Sequence, residues 1–171
     1  MKRSFCLAVG ILVISCFVLT GCKKAGEKAA EKAIEAGLAK EGVKADVDAS
    51  DGKVTIQSKD GKTEFTGGKN AKVPENFPKD VYVYEGATIN AALSVPGGFN
   101  LTMETGDSAD TVLSSVKKKM TGQGWKEEMT MNQGEQSMVG YKKGERTTMI
   151  TISTDKKLTR IALTVTEEKG K

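Results

Sequence analysis

Histidine is absent from the 171 residues, and the three cysteines, Cys6, Cys16 and Cys22, all lie within the first 22 positions. The rest of the chain therefore has no imidazole or thiolate zinc site, no Cys-His nucleophile and no Ser-His-Asp triad. Methionine, carboxylate, lysine and serine remain as groups that could do chemistry. Apart from Met1, the methionines are Met103, Met120, Met129, Met131, Met138 and Met149. Thioethers suit Cu(I), and Met129 and Met131 would share one face of a strand. Methionine also fills irregular core gaps, and beyond residue 21 Leu, Ile, Val and Phe number only 26 in 150 positions. Core packing is the expectation for these residues, with no metal site and no cofactor.

The carboxylates offer little more. Glu127-Glu128 and Glu167-Glu168 are adjacent pairs, and neighbours on a strand point to opposite faces. Neither pair supplies the facing carboxyls of a glycoside hydrolase. Asp46, Asp48, Asp51 and Asp60 lack the spacing and closing glutamate of a calcium loop. Ser114 to Lys117 and Ser153 to Lys156 have Ser-x-x-Lys spacing, but Ser-Asp-Asn and Lys-Thr-Gly companions are missing. Gly67-Gly68-Lys69 lacks the P-loop spacing. Tyr82 and Tyr84 share a face if extended; they could form an exposed aromatic surface for protein or glycan contact, or pack at a domain edge. They are the candidate binding residues, and no catalytic residue is expected.

The elements that would position these groups begin with a repeat. Asp51-Gly52-Lys53-Val54-Thr55-Ile56 and Asp60-Gly61-Lys62-Thr63-Glu64-Phe65 combine Asp-Gly turns with alternating residues, as in a hairpin or small meander. Pro74 and Pro78 then suggest a linker. Thr88–Val95 and Phe99–Thr105 read as strands joined by Pro96-Gly97-Gly98. Asp107 is placed as the cap of a helix whose Val112, Leu113, Val116 and Met120 share one face, with Gly122 and Gly124 ending it. Four further strands follow, Trp125–Asn132, Ser137–Lys143, Arg146–Ser153 and Leu158–Thr166. In the last two, Ile150, Ile152, Ile161, Leu163 and Val165 alternate with mainly polar residues, as in an antiparallel sheet covered on one side. The fold class expected is α+β: an antiparallel sheet with one helix across one face, in the order ββαββββ. Trp125 and Tyr141 should bury their rings against that helix.

The N-terminus has a different character. Met1-Lys2-Arg3 precedes an apolar run, Phe5 to Leu19, that is shorter than the roughly 20 residues a membrane-spanning helix needs. Charge, short apolar core and small exit residues form an export signal. Leu19-Thr20-Gly21-Cys22 resembles the bacterial lipobox of type II signal peptides. The resemblance implies cleavage after Gly21 and lipidation of Cys22, with the membrane as partner through that lipid. Two or more acyl chains hold stably where one holds weakly. Lys23, where an aspartate would signal inner-membrane retention in enteric bacteria, points to the outer membrane and a periplasm-facing domain. The stretch "VPENFPKDVYVYEGA" (Val73–Ala87) is similar to one in bacterial lipoproteins, where it precedes a strand pair, a helix and a Gly-Trp. That likeness reaches loosely to Val165 and implies no activity.

The organisation expected is a signal peptide over 1–21, a lipidated cysteine with a helical tether over 22–45, a small hairpin region with linker over 46–72, and the α+β domain over 73–168. The tether, "KKAGEKAAEKAIEAGLAKEG", has good helix formers but only Ala30, Ile34 and Leu38 as an apolar stripe. Removing Lys2 and Arg3 with the signal leaves 24 basic against 22 acidic residues. The signs are interspersed, so nucleic acid is not an expected partner. The expectation is a non-enzymatic, lipid-anchored envelope protein that binds or organises another envelope component, such as an envelope protein. The alternative is a small-ligand, glycan or metal-binding module.

Overall fold

The structure, a computed structural model, describes residues 31–32, 35–36, 44–48, 50–58 and 61–167. The signal peptide, Cys22 and most of the tether lie outside the described residues. Nine strands form one antiparallel sheet: β1 Lys44–Asp48, β2 Lys53–Ser58, β3 Gly61–Gly67, β4 Thr88–Val95, β5 Gly98–Thr105, β6 Lys126–Gln133, β7 Gln136–Lys143, β8 Arg146–Asp155 and β9 Leu158–Glu167. Their spatial order is β1-β2-β3-β4-β5-β9-β8-β7-β6. A helix, α1 (Ala109–Gly122), lies between β5 and β6 in the chain. From Thr88 onward the elements therefore run strand, strand, helix and four strands.

This topology follows from turn chemistry. β6–β7 and β7–β8 close through two-residue loops, Gly134-Glu135 and Gly144-Glu145. The first residue of each loop has positive φ, 57° and 61°. Glycine adopts that conformation without a Cβ clash, and such turns match the twist of the flanking strands. Because β5 is followed by a helix rather than a turn, the chain crosses to the far edge before returning as β6 to β9. The return ends with β9 beside β5, paired from Thr105–Thr159 to Gly98–Thr166.

α1 starts one residue later than the sequence suggested. Ser108, not Asp107, is its N-cap, with the hydroxyl accepting from the Thr111 N–H at 3.2 Å. Asp107 is engaged elsewhere, as described below. Val112, Val116 and Met120 are buried, and Leu113 packs beside them. They meet Leu101, Met103, Val139, Ile150, Ile152, Ile161 and Leu163, all essentially inaccessible to solvent. Trp125 and Tyr141 join this core.

Two regional expectations need revision. The hairpin region is not separate from the main sheet: β3 pairs with β4 from Glu64–Ser94 to Gly67–Ala91. An additional strand, β1, pairs with β2 outside it. The segment containing Pro74 and Pro78 is not a linker either. It places Phe77, Val81, Tyr82 and Tyr84 in the core, where prolines are compatible because this non-repetitive backbone needs no ladder hydrogen bonds. Glu35, among the described helical residues, accepts from the Val47 N–H at 3.2 Å and so touches β1.

Candidate functional site

Tyr82 and Tyr84 do not form an exposed aromatic surface. They are 8% and 7% exposed, and their rings meet edge-on, with centroids 6.3 Å apart. The segment that carries them packs along the helix, from Met120 near its C-terminal end to Asp107 at its entry. The Tyr84 hydroxyl donates to Asp107 Oδ2 at 2.8 Å. This hydrogen bond, aided by burial, raises the tyrosine's pKa. The Tyr82 N–H points at the Met120 sulfur, 3.3 Å away, and Lys119 lies over the Tyr82 ring. Asp107 also receives the Thr105 hydroxyl, while its carbonyl accepts from Thr159 Oγ1 at 2.6 Å. Side chain and backbone of Asp107 thus stitch this segment to the entry of α1.

The same segment is fastened a second time through Asp80. Arg146 grips its carboxylate with two parallel bonds of 2.8 and 2.7 Å, and Lys143 adds a third at 2.7 Å. Lys143 also donates to the Gln123 carbonyl at the end of α1. The Trp125 indole N–H donates to the Asp80 carbonyl, and Arg146 lies over the Trp125 ring, 5.2 Å from its centroid. The Arg146 guanidinium, with Lys143, holds the Asp80 carboxyl far below the usual carboxylate range. Each of the three charged groups is already bonded to another, so the arrangement is a clasp. No local sequence signal announced it, since Asp80 is 63 and 66 residues from its partners.

The side of the sheet opposite α1 is different. Register partners point to the same face, which gives two successive rows across β6, β7, β8 and β9. One is Met129, Gly140, Met149 and Thr164; the other is Met131, Met138, Thr151 and Ala162. Met129 and Met131 are 36% and 43% exposed, and Met138 and Met149 are half-buried. Only Met103 and Met120 of the six methionines lie in the core. Core packing therefore fails for the other four: Met138 and Met149 alternate with the buried Val139, Ile150 and Ile152, and Met129 and Met131 lie on β6, which is exposed throughout. That alternation was present in the sequence, and it is the signal that could have located the face.

Other candidates are accounted for locally. Asp48 accepts from Ser50 Oγ and the Asp51 N–H, a turn rather than a cation cage; Asp60 lies outside the described residues. Among the described residues, no group of three or more His, Cys, Asp or Glu could hold a metal ion. Glu127 accepts from Thr130 and Lys117, which lower its pKa in that order. An open groove of about 530 Å³ near Pro96 and Gly97 is bordered by Lys62, Arg146 and Glu167. Arg146 is already held by Asp80, and Lys62 by Glu64 at 2.6 Å.

Residues 87–167 match a family model described as START domain-like. The match begins just before β4 and ends with β9, so it covers the helix, the clasp's two basic residues and the methionine face. No curated protein and no solved structure matches the chain. The START domain-like span is what this part of the chain is similar to. It leaves β1 to β3 and Asp80 outside.

Proposed function

We propose that this protein is a lipid-anchored, non-enzymatic ligand-binding module of the bacterial envelope, fastened through Cys22 and spaced from the bilayer by a helical tether. The observation that carries the binding role is the outer face of β6 to β9. It is an accessible sheet surface with four methionines, between a packed core on one side and solvent on the other. The START domain-like likeness agrees with a ligand-binding role for the same residues. Space between helix and sheet is taken by Met103, Met120, Leu101 and Trp125, so ligand contact belongs on the outside.

Amide-shift mapping of the processed lipoprotein in detergent, titrated with envelope extract, tests the face. Shifts should concentrate at Met131, Met138, Thr151 and Ala162 and vanish in Ala162→Glu. Shifts that map instead to the groove or α1 would overturn this assignment. For the anchor, Cys22→Ser should remain unprocessed and take up no acyl label. Maturation and membrane fractionation like the parent would remove the lipid from the account.

A second reading, docking of an envelope protein, has one observation in its favour. Among the described residues β6 is a sheet edge paired only with β7, and it is exposed along its whole length. Such an edge can accept an added strand, although the register shift between Glu127 and Met129 and the charged start of β6 work against it.

A further inference from the structure

We propose that Met129, Met131, Met138 and Met149 form a site for a soft monovalent cation of the Cu(I) class on the outer face of the sheet. The inference rests on the reading of that face as the binding surface, and names its ligand.

The argument begins with Gly140. It sits in the middle of β7, without positive φ, so no turn or backbone constraint calls for glycine there. Glycine in a strand interior is destabilising relative to alanine, and it often marks a place that something approaches closely. What approaches here is sulfur-bearing. A Cβ at Gly140 would lie 3.5 Å from Met129 Cβ, 3.5 Å from Met149 Cε and 3.9 Å from Met129 Cε. The ends of Met129 and Met149, on strands either side of β7, therefore hang over one hollow that a larger residue would fill.

Next to them, Met131 and Met138 are direct cross-strand partners, a relation that places Cβ atoms about 4.5–5.5 Å apart. Met131 is two residues from Met129 on the same face. All four thioethers thus fall within neighbouring positions of one strand lattice. The Met131 sulfur already accepts from Gln133 Nε2 at 3.4 Å, so a lone pair is directed to a polar partner instead of being packed in hydrocarbon.

Chemistry selects the ion. Thioether sulfur is a soft, neutral donor that prefers Cu(I) to the hard divalent ions served by carboxylate and carbonyl oxygen. No charged residue stands in the two rows that hold the methionines between β6 and β9; the nearest row at one end pairs Lys126 with Lys142, and at the other Arg160 pairs with Ser153. A monovalent ion in neutral donors carries less uncompensated charge there than a divalent one would. A closed apolar packing role does not account for two methionines more than a third exposed. Unlike a thiolate site, this one has no proton to release on binding.

The test uses the processed lipoprotein in detergent micelles with carbon-13 methyl-labelled methionine. Ag(I), as silver nitrate, is the redox-inert probe, and Cu(I) is then offered in competition with bicinchoninate. The methyl signals of Met129, Met131, Met138 and Met149 should shift and saturate at one equivalent, while those of buried Met103 and Met120 stay in place. Met129→Leu with Met149→Leu, which keeps the size and apolar character, should weaken Ag(I) binding at least tenfold, and Met103→Leu should not. Four unmoved methyl signals in the unsubstituted protein would overturn the inference without any variant. If those signals stay still while envelope ligands continue to shift the Thr151 and Ala162 amides, the metal falls and the binding face stands. If both remain still, the proposed function falls too.

Discussion

Replacing Asp80 by asparagine removes the charge from the clasp while leaving its shape. The side chains of Asp80, Lys143 and Arg146 are 31%, 35% and 26% exposed. Solvent therefore screens much of the attraction, and a typical exposed ion pair contributes at most about 1 kcal/mol. The paired guanidinium–carboxylate bonds and the second cation raise this, for an expected loss of about 1–2 kcal/mol at pH 7. For a protein of this size each kcal/mol corresponds to roughly 2–4 °C in Tm, so Tm should fall by about 2–8 °C. Trp125, the only tryptophan, is buried against Arg146 and reports unfolding by fluorescence in urea. The pH dependence fixes the mechanism. Arg146 and Lys143 lower the folded-state pKa of Asp80, whereas the unfolded value is about 3.9. The stabilisation is thus fully present above about pH 4 and declines as pH falls toward the folded value. Asparagine has no such titration. The gap between parent and variant should be widest at pH 7 and shrink at pH 2.5. An unchanged urea midpoint at pH 7, or a gap of equal size at both pH values, would refute the electrostatic account.

Three further outcomes follow from the same coordinates. Burial, with a smaller contribution from Glu127, pushes the Tyr141 hydroxyl up to about 12; that oxygen and Thr148 Oγ1, on its register partner, are buried without hydrogen-bond partners among the described residues. Tyr141→Phe should therefore leave stability unchanged or raise it by about 1 kcal/mol; a loss above 1 kcal/mol in urea titration would show that the hydroxyl has a partner. Ser108→Ala should cost about 1 kcal/mol through the lost cap of α1, with Asp107→Asn affecting the Tyr84 contact instead; circular dichroism melts separate the two. Gly140→Ala makes only ordinary contacts at 3.5 Å, so Tm should hold or rise, yet Ag(I) affinity should drop because the new methyl fills the hollow into which the ends of Met129 and Met149 would have to close around the ion. A drop in both would point to general disruption of β7.

The repetitive part of the fold was legible because period-two alternation and turn residues act over short distances. Thr88–Val95 matches its strand at both ends, and the five strands after it differ by one or two residues, whereas β1 was not anticipated. Misreadings arose where nonlocal contacts decide. Pro74 and Pro78 look like punctuation until Phe77 and Val81 are seen beneath them. Asp107 looks like a cap until Tyr84, 23 residues earlier, takes its carboxylate. The methionine face was half legible: Met129 and Met131 share a face by spacing alone, but Met149 joins them only through a β7 that carries glycine at the crossing point. Composition argued for methionine as filler, and that argument holds for Met103 and Met120 alone.

The joining of β3 to β4 has a mechanical consequence. A chain held from its N-terminal side passes any tug to the Glu35–Val47 contact and to β1, the strand at one edge of the described sheet. Strands would then peel away in chain order, β1, β2 and β3, before load reached the packed body, and each detachment would lengthen the leash. The last of these steps would uncover the rim of β4, so traction on the N-terminal side would present a fresh backbone edge that the relaxed protein keeps sealed.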